Sequence, residues 1–213
     1  MIIGFAGKAA SGKTTAAKHL APLLTGPFQI IPMAQLLREE VENFLELIGA
    51  TEYTPLVYGC QDDKVKTFYV DTSRALANCP KWNHFISEHQ EIQDRDDRTA
   101  ITVRRILQWW GTEYRREQDP DYWTSAWANK VKSYDLEKTN ILVDDIRFNN
   151  ELKTLKGLGG LIVKIERPGF AGAGNHASET SLDDYSEWDH IVQNDGTLEQ
   201  FLDKISDLRA KLP

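Results

Sequence analysis

The chain has 213 residues, 41% hydrophobic and 27% charged, enough for one α/β domain with a sizeable core, or for a core domain carrying large insertions. A formal net charge of −7 and a pI near 5.3 argue against a general nucleic-acid binder, which carries a basic footprint. Cys60 and Cys79 lack CxxC spacing, which argues against a disulfide scaffold or a zinc site, and no run approaches the ~18 apolar residues of a membrane helix.

The opening MIIGFAG reads as a buried strand rather than a signal peptide, so a soluble, intracellular protein is expected. Helical spacing of Ala16, Ala17, Leu20, Leu23 and Leu24 follows over 13–24, stopped by Gly26 and Pro27. A second strand is predicted at 28–31, and an amphipathic helix at 35–48 ends on Gly49. Residues 50–100 are polar with scattered aromatics and end in the charge cluster EIQDRDDR. They read as a mobile insertion with some helix, not a second globular domain. Thr102 has the look of an N-cap for a helix VRRILQWW that runs to Gly111. Another helix begins near Asp119 or Asp121, with Pro120 suited to its first turn.

Strands are then predicted at NILV, GLIVKIE and HIVQ. Helices are predicted at RFNNELKTLKGL and TLEQFLDKISDLRAKL, and RPGFAGAGNHASETSLDDYSEW is a loop region. There are no internal repeats. Alternating strands and helices predict an α/β, doubly wound parallel sheet.

The segment GKAASGKT, Gly7 to Thr14, fits G-x-x-x-x-G-K-S/T between a predicted strand and a predicted helix. Gly7 and Gly12 permit a tight bend. The N–H groups of Ala9, Ala10, Ser11, Gly12, Lys13, Thr14 and Thr15 can then cradle phosphates at a helix N-terminus. Lys13 suits the β- and γ-phosphates of a nucleotide triphosphate, and the Thr14 hydroxyl suits Mg²⁺.

ILVDDIRFNNE places Asp144 and Asp145 at the end of an apolar strand, where either can hold Mg²⁺ or can cap the next helix. Arg147 is suited either to pair with Glu151 or to touch a phosphate. Phosphoryl transfer asks chiefly for positive groups around the moving phosphoryl. Arg104, Arg147 and Arg167 are therefore candidates, followed by Arg38 and Arg116, because a guanidinium pairs bidentately with phosphate. Arg105 and Arg115 read as surface charges.

Several stretches resemble one family, the phage-type deoxynucleoside monophosphate kinases of the P-loop kinase superfamily. They are GKAASGKTT, MAQLLR, TVRRILQWWGTEYRR with DPDYW, VDDIRFNNE, GGLIVKIERPG, HASE and QNDGTLEQF. They keep the family's order and cover most of the chain outside residues 50–98. The resemblance implies a P-loop kinase fold made of a core (1–33, 117–166 and 189–213), an acceptor-binding insertion at about 34–116 and a lid at about 167–188. It implies that Arg38, Arg104, Gln108 and Thr112 line the monophosphate site; Arg116 and Glu151 are further candidate acceptor contacts.

The same resemblance sets Arg167 and the loop through Glu179 over ATP, with Gly169, Gly172 and Gly174 making that loop mobile. It sets Asn194 and Gly196 near the adenine, though these also suit a helix-start turn. His176 also reads as a loop cap. Thr14 stands where many members have Asp, and Arg38 where a Lys is usual. Trp109 and Trp110 replace smaller residues, and Tyr69, Trp109 and Tyr114 are the aromatic candidates for excluding a 2′-hydroxyl.

The expected activity is ATP-dependent, Mg²⁺-assisted phosphorylation of deoxynucleoside 5′-monophosphates to diphosphates in the cytoplasm, that of a host cell if phage-encoded. The expected partners are ATP and a deoxynucleoside monophosphate, with no nucleic acid and no membrane, in a monomer or homodimer. The alternatives are a P-loop kinase for another phosphorylated acceptor, of dephospho-coenzyme A or phosphomevalonate type, and a nucleotide-binding regulator that is not a kinase.

Overall fold

A computed structural model describes residues 1–88, 94, 95, 97–169 and 176–213. In chain order its elements are β1 (Ile2–Ala6), α1 (Lys13–Leu20) with a 3-10 turn at Ala21–Leu23, β2 (Phe28–Ile30), α2 (Gln35–Leu47), α3 (Thr54–Tyr58), α4 (Gln61–Lys64), β3 (Thr67–Asp71), α5 (Thr72–Asn78) and α6 (Trp82–Glu88). They continue with β4 (Asp94–Arg95), β5 (Arg98–Thr102), α7 (Val103–Trp109), a π-helix (Trp110–Arg116), α8 (Tyr122–Lys132), β6 (Asn140–Ile146), α9 (Asn149–Gly157), β7 (Leu161–Glu166), α10 (Ala177–Thr180), β8 (His190–Gln193) and α11 (Leu198–Arg209). They form two compact units, one of Met1–Gln35 with Asp121–Pro213, the other of Leu36–Pro120.

The first unit is a five-stranded sheet in the order β2-β6-β1-β7-β8, with every neighbouring pair parallel. Its central strands are buried on both faces, so they read as continuous apolar runs. Alternation along β1 sends Ile3 and Phe5 toward one face, where Ala16, Ala17 and Leu20 of α1 and Phe201, Ile205 and Leu208 of α11 pack. Ile2 and Ala6 face the other layer, with Trp127 and Val131 of α8 and Leu152 and Leu155 of α9. A side chain at Gly4 would meet Leu155 Cδ1 at 2.5 Å, so β1 lies tightly against α9 there. The chain order reverses about β1, and ligands collect beyond the carboxyl ends of strands at such a reversal. The ends of β1, β6 and β7 carry the phosphate-loop motif, the Asp144–Arg147 segment and Glu166–Arg167 respectively.

The second unit departs from expectation. Residues 50–100 contain an antiparallel sheet in the order β3-β5-β4, with Phe68 opposite Ile101 and Val70 opposite Thr99. Alternation is present in TFYVD and RTAIT, but each strand buries only two residues, which polar neighbours hide in a sequence window. Its core is aromatic. Ring centroids lie 5.3 Å apart for Phe44 and Trp82, 4.9 Å for Trp82 and Phe85, and 4.6 Å for Phe85 and Trp109. Glu91, Ile92, Gln93 and Asp96 of the charge cluster EIQDRDDR lie outside the described residues.

Thr102 is an N-cap, its hydroxyl accepting the Arg105 N–H at 3.2 Å. The helix it starts does not stop at Gly111, because the π-helix carries it on to Arg116. Among the described residues no helix is long and apolar enough to cross a membrane.

Candidate active site

The loop between β1 and α1 is bent by positive φ at Gly7 (141°), Ala10 (58°) and Gly12 (108°). A Cβ on Gly7 would lie 2.4 Å from the Ile165 carbonyl oxygen, and one on Gly12 would lie 2.9 Å from Asn194 Nδ2. Neither position accepts a side chain without moving β7 or the turn before α11. The loop feeds α1, whose free N–H groups and dipole favour an anion at its start. Thr14 and Thr15 are exposed on that first turn. The Ser11 hydroxyl is buried and makes no hydrogen bond among the described residues.

Lys13 is buried and donates from Nζ to the Gly7 carbonyl at 2.8 Å and the Lys8 carbonyl at 2.7 Å. Its pKa is lowered to about 7, first by loss of solvent and then by the nearby Arg147 charge. An anion in the loop would offset both effects by favouring the charged amine, so the site favours phosphate electrostatically.

The two acids at the end of β6 separate in role. Asp144 is 8% exposed. Its Oδ2 accepts the Thr14 hydroxyl at 2.6 Å, and its buried Oδ1 makes no hydrogen bond among the described residues. Asp145 accepts the Met33 N–H at 2.7 Å and the Ala34 N–H at 3.2 Å, tying β6 to the chain that enters α2. A hydroxyl beside an orphaned carboxylate oxygen is a fitting pair of ligands for Mg²⁺, which keeps several waters and takes few protein oxygens. The backbone bonds of Asp145 give it a structural task.

Arg147 donates from Nη1 to Glu179 Oε1 at 2.6 Å, and Arg167 donates from Nη1 to the Ala10 carbonyl at 3.0 Å. Both guanidinium groups therefore stand at the loop. Glu151 is buried. Its Oε2 accepts the N–H groups of Arg147 (2.7 Å) and Phe148 (3.1 Å), which makes it a cap of α9.

Asn194 donates from Nδ2 to the Ser11 carbonyl at 2.8 Å. Gly196 stands against Gln200, whose Oε1 accepts the Thr197 N–H in the capping box of α11. His176 caps α10 by accepting the Ser178 N–H at 3.2 Å. A cavity of about 450 Å³ opens beside Gly7 and Lys8, lined also by Arg147, Arg167, Lys164 and Trp188. Gly172 and Gly174 lie outside the described residues.

In the second unit, Arg104, Gln108, Thr112 and Arg116 are all half-buried and follow each other at intervals of four. On an α-helix this interval drifts around the axis. The wider π turn from Trp110 to Arg116 winds it back, so the four keep to one face. Arg104 Nη2 donates to Gln61 Oε1 at 2.5 Å, and its buried Nε makes no hydrogen bond among the described residues. Arg38 is half-buried on α2.

Arg115 is not a bare surface charge. It is bonded to Glu40 at 2.8 Å and its guanidinium lies 4.9 Å from the Tyr114 ring centroid. Trp109 is 2% exposed and stacks on Tyr114 at 5.3 Å, whereas Tyr69 is 55% exposed. Sequence reasoning passed over Glu179 as a site residue. Its signal was the HASE stretch, but the carboxylate's partners are distant in the chain, Ala9 by 170 positions and Arg147 by 32.

A parallel sheet with β1 at its centre, a glycine-bent lysine loop after β1 and a buried acid facing the Thr14 hydroxyl define a P-loop fold. A family model described as deoxynucleotide monophosphate kinase matches residues 34–205, and the chain belongs to that family of phosphotransferases. It is 27% identical over 216 residues to a provisionally named deoxynucleotide monophosphate kinase of Acanthamoeba polyphaga mimivirus, covering 96% of this chain and 94% of that one. It is 28% identical over 106 residues to the deoxynucleotide monophosphate kinase of Escherichia phage RB69, covering 49% of this chain and 43% of that one. Among solved structures, a dephospho-CoA kinase from Campylobacter jejuni aligns over 99% of this chain and 96% of its own, at 13% identity and a TM-score of 0.45.

Proposed function

We propose that the chain transfers the γ-phosphoryl of ATP to a deoxynucleoside 5′-monophosphate, with Mg²⁺, giving the diphosphate and ADP. The observation that carries this reading is the Thr14 hydroxyl on Asp144 at 2.6 Å, beside Lys13 at the mouth of the glycine-bent loop. In this reading the N–H groups of Ala9 to Thr15 and Lys13 hold the donor phosphates. Lys13 exchanges its loop carbonyls for phosphate oxygens, and its proton is then retained because the anion offsets the burial. Thr14 and Asp144 hold Mg²⁺, with Asp145 keeping the strand end in place. When bound there, the ion would supply neutralisation of phosphate charge.

Arg147 and Arg167 are assigned to the transferring phosphoryl. Arg104, with Arg38 and Arg116, is assigned to the acceptor's monophosphate, where bidentate pairing fixes orientation. Gln108 presents both a donor and an acceptor to a base edge, with Thr112 beside it on the same helix face. Asn194 and Gly196 would border the donor's base, and the stretch about 167–188 would act as a lid. The acceptor is already an anion, so no strong general base is required.

The test is an initial-rate survey of common deoxy- and ribonucleoside monophosphates with ATP and Mg²⁺. Turnover is expected with one or more deoxynucleoside monophosphates. ADP release with another phosphate ester, and with no nucleoside monophosphate, would overturn the acceptor assignment. Slow hydrolysis indifferent to every acceptor would point to a regulator instead.

A further inference from the structure

Glu179 is 8% exposed, and both of its carboxylate oxygens are engaged. Oε2 accepts the Ala9 N–H of the phosphate loop at 2.9 Å, and Oε1 accepts Arg147 Nη1 at 2.6 Å. Its main-chain carbonyl accepts Lys8 Nζ at 2.6 Å, and Lys8 also pairs with Asp183. A buried carboxylate is costly unless both oxygens are bonded, and removing one partner of such a pair leaves an uncompensated charge. The carboxylate therefore joins the loop to Arg147, and the rest of its turn anchors the loop through Lys8.

We infer that Glu179 is a positioning residue: held by the Ala9 N–H, its carboxylate aims the Arg147 guanidinium at the phosphates gathered by the loop. The inference rests on the kinase reading above. Its physical basis is geometric. An arginine side chain has many rotamers, and one oxygen fixed to the rigid loop removes most of them before any substrate arrives. Glutamine at 179 would keep one acceptor oxygen but set an amide N–H against either the loop or the guanidinium, so it cannot serve both. Aspartate would be too short to reach across.

The experiment compares wild type, Glu179→Gln, Arg147→Ala and the double variant in steady-state phosphoryl transfer, with folding followed by circular dichroism. Glu179→Gln should lower kcat about 30-fold while leaving the KM for ATP nearly unchanged. Arg147→Ala should cost far less in the Glu179→Gln background than in wild type, because the guanidinium is already adrift. Equal losses in both backgrounds, or a wild-type kcat in Glu179→Gln, overturn the inference.

Free guanidinium ion at non-denaturing concentration should restore about tenfold of the activity lost in Arg147→Ala, because the buried carboxylate can hold it in the vacated place. A merely structural Glu179 would give no such recovery, and its absence overturns the inference even if Glu179→Gln fails to fold. Wild-type protein inactive toward every nucleoside monophosphate would overturn the kinase reading and this inference together. Unchanged kcat on an active background overturns this inference alone.

Discussion

The two compact units solve the same problem with different materials. The first, Met1–Gln35 with Asp121–Pro213, buries aliphatic strands between helical layers, and its chemistry sits on backbone at the ends of strands. The second, Leu36–Pro120, gathers Phe44, Trp82, Phe85, Trp109 and Trp110 into an aromatic core beside short antiparallel strands, and its candidate binding groups are long side chains on one helical face. A loop that cradles phosphate with N–H groups needs rigid strands on both sides of it. A surface of arginines needs only a helix held in place. The first kind of site is therefore sensitive to backbone strain, the second to loss of core volume.

The largest expected effect tests the aromatic core. Trp82 is fully buried, so Trp82→Ala should cost about 3–5 kcal/mol. Hydrogen exchange should show loss of protection in α2, α6 and α7 while β1, β6 and β7 keep theirs. Uniform loss across both units would break the comparison.

Next comes Lys13→Met, expected to lower turnover about 10²–10³-fold. It should also stabilise the nucleotide-free protein at low pH. The folded state releases the Lys13 proton at about 7 and the unfolded chain at its ordinary 10.5. Below pH 7 both states hold the proton, and wild type carries the full cost of a buried ammonium. Between pH 7 and 10.5 the unfolded state binds more protons, so wild-type stability rises with pH. The advantage of Lys13→Met in thermal denaturation should therefore be greatest below pH 7 and fade toward pH 10.5. A gap that stays constant with pH would count against the burial argument.

A smaller effect separates the adjacent acids. Asp145→Asn should cost about 1–2 kcal/mol of stability, because it loses an acceptor for a backbone N–H, and should leave the Mg²⁺ dependence of turnover intact. Asp144→Asn should do the reverse, raising the Mg²⁺ concentration needed for half-maximal rate. Identical metal titrations for the two variants would sink the division of labour. The smallest effect is at Ala10, whose φ of 58° strains a residue with a Cβ. Ala10→Gly should relieve about 1–2 kcal/mol of that strain, less the entropy that glycine adds to the unfolded chain, for a net gain of about 0.5 kcal/mol in denaturant unfolding.

Much of the first unit was legible from residue order. The apolar runs at β1, β6 and β7 are local signals, and a parallel sheet follows from their alternation with helices. In the second unit α2, α7 and the Thr102 cap were legible, but its sheet and aromatic core were not, because its strands bury two residues each and its core residues are scattered from Phe44 to Trp110. The π turn was hidden for the same reason, since Thr112 and Arg116 look like an ordinary continuation past a glycine. In the site, the loop was read from spacing, but the backbone N–H partners of Glu151 and Asp145 were not.

By itself, the sequence determined that a strand, a glycine-bent lysine loop and a helix follow one another, because the residues of that motif are neighbours in the chain. Only the tertiary structure decided which acid faces Thr14, where Arg147 is held and that Glu179 holds it. Those choices depend on contacts between residues far apart in the chain, and no local spacing encodes them.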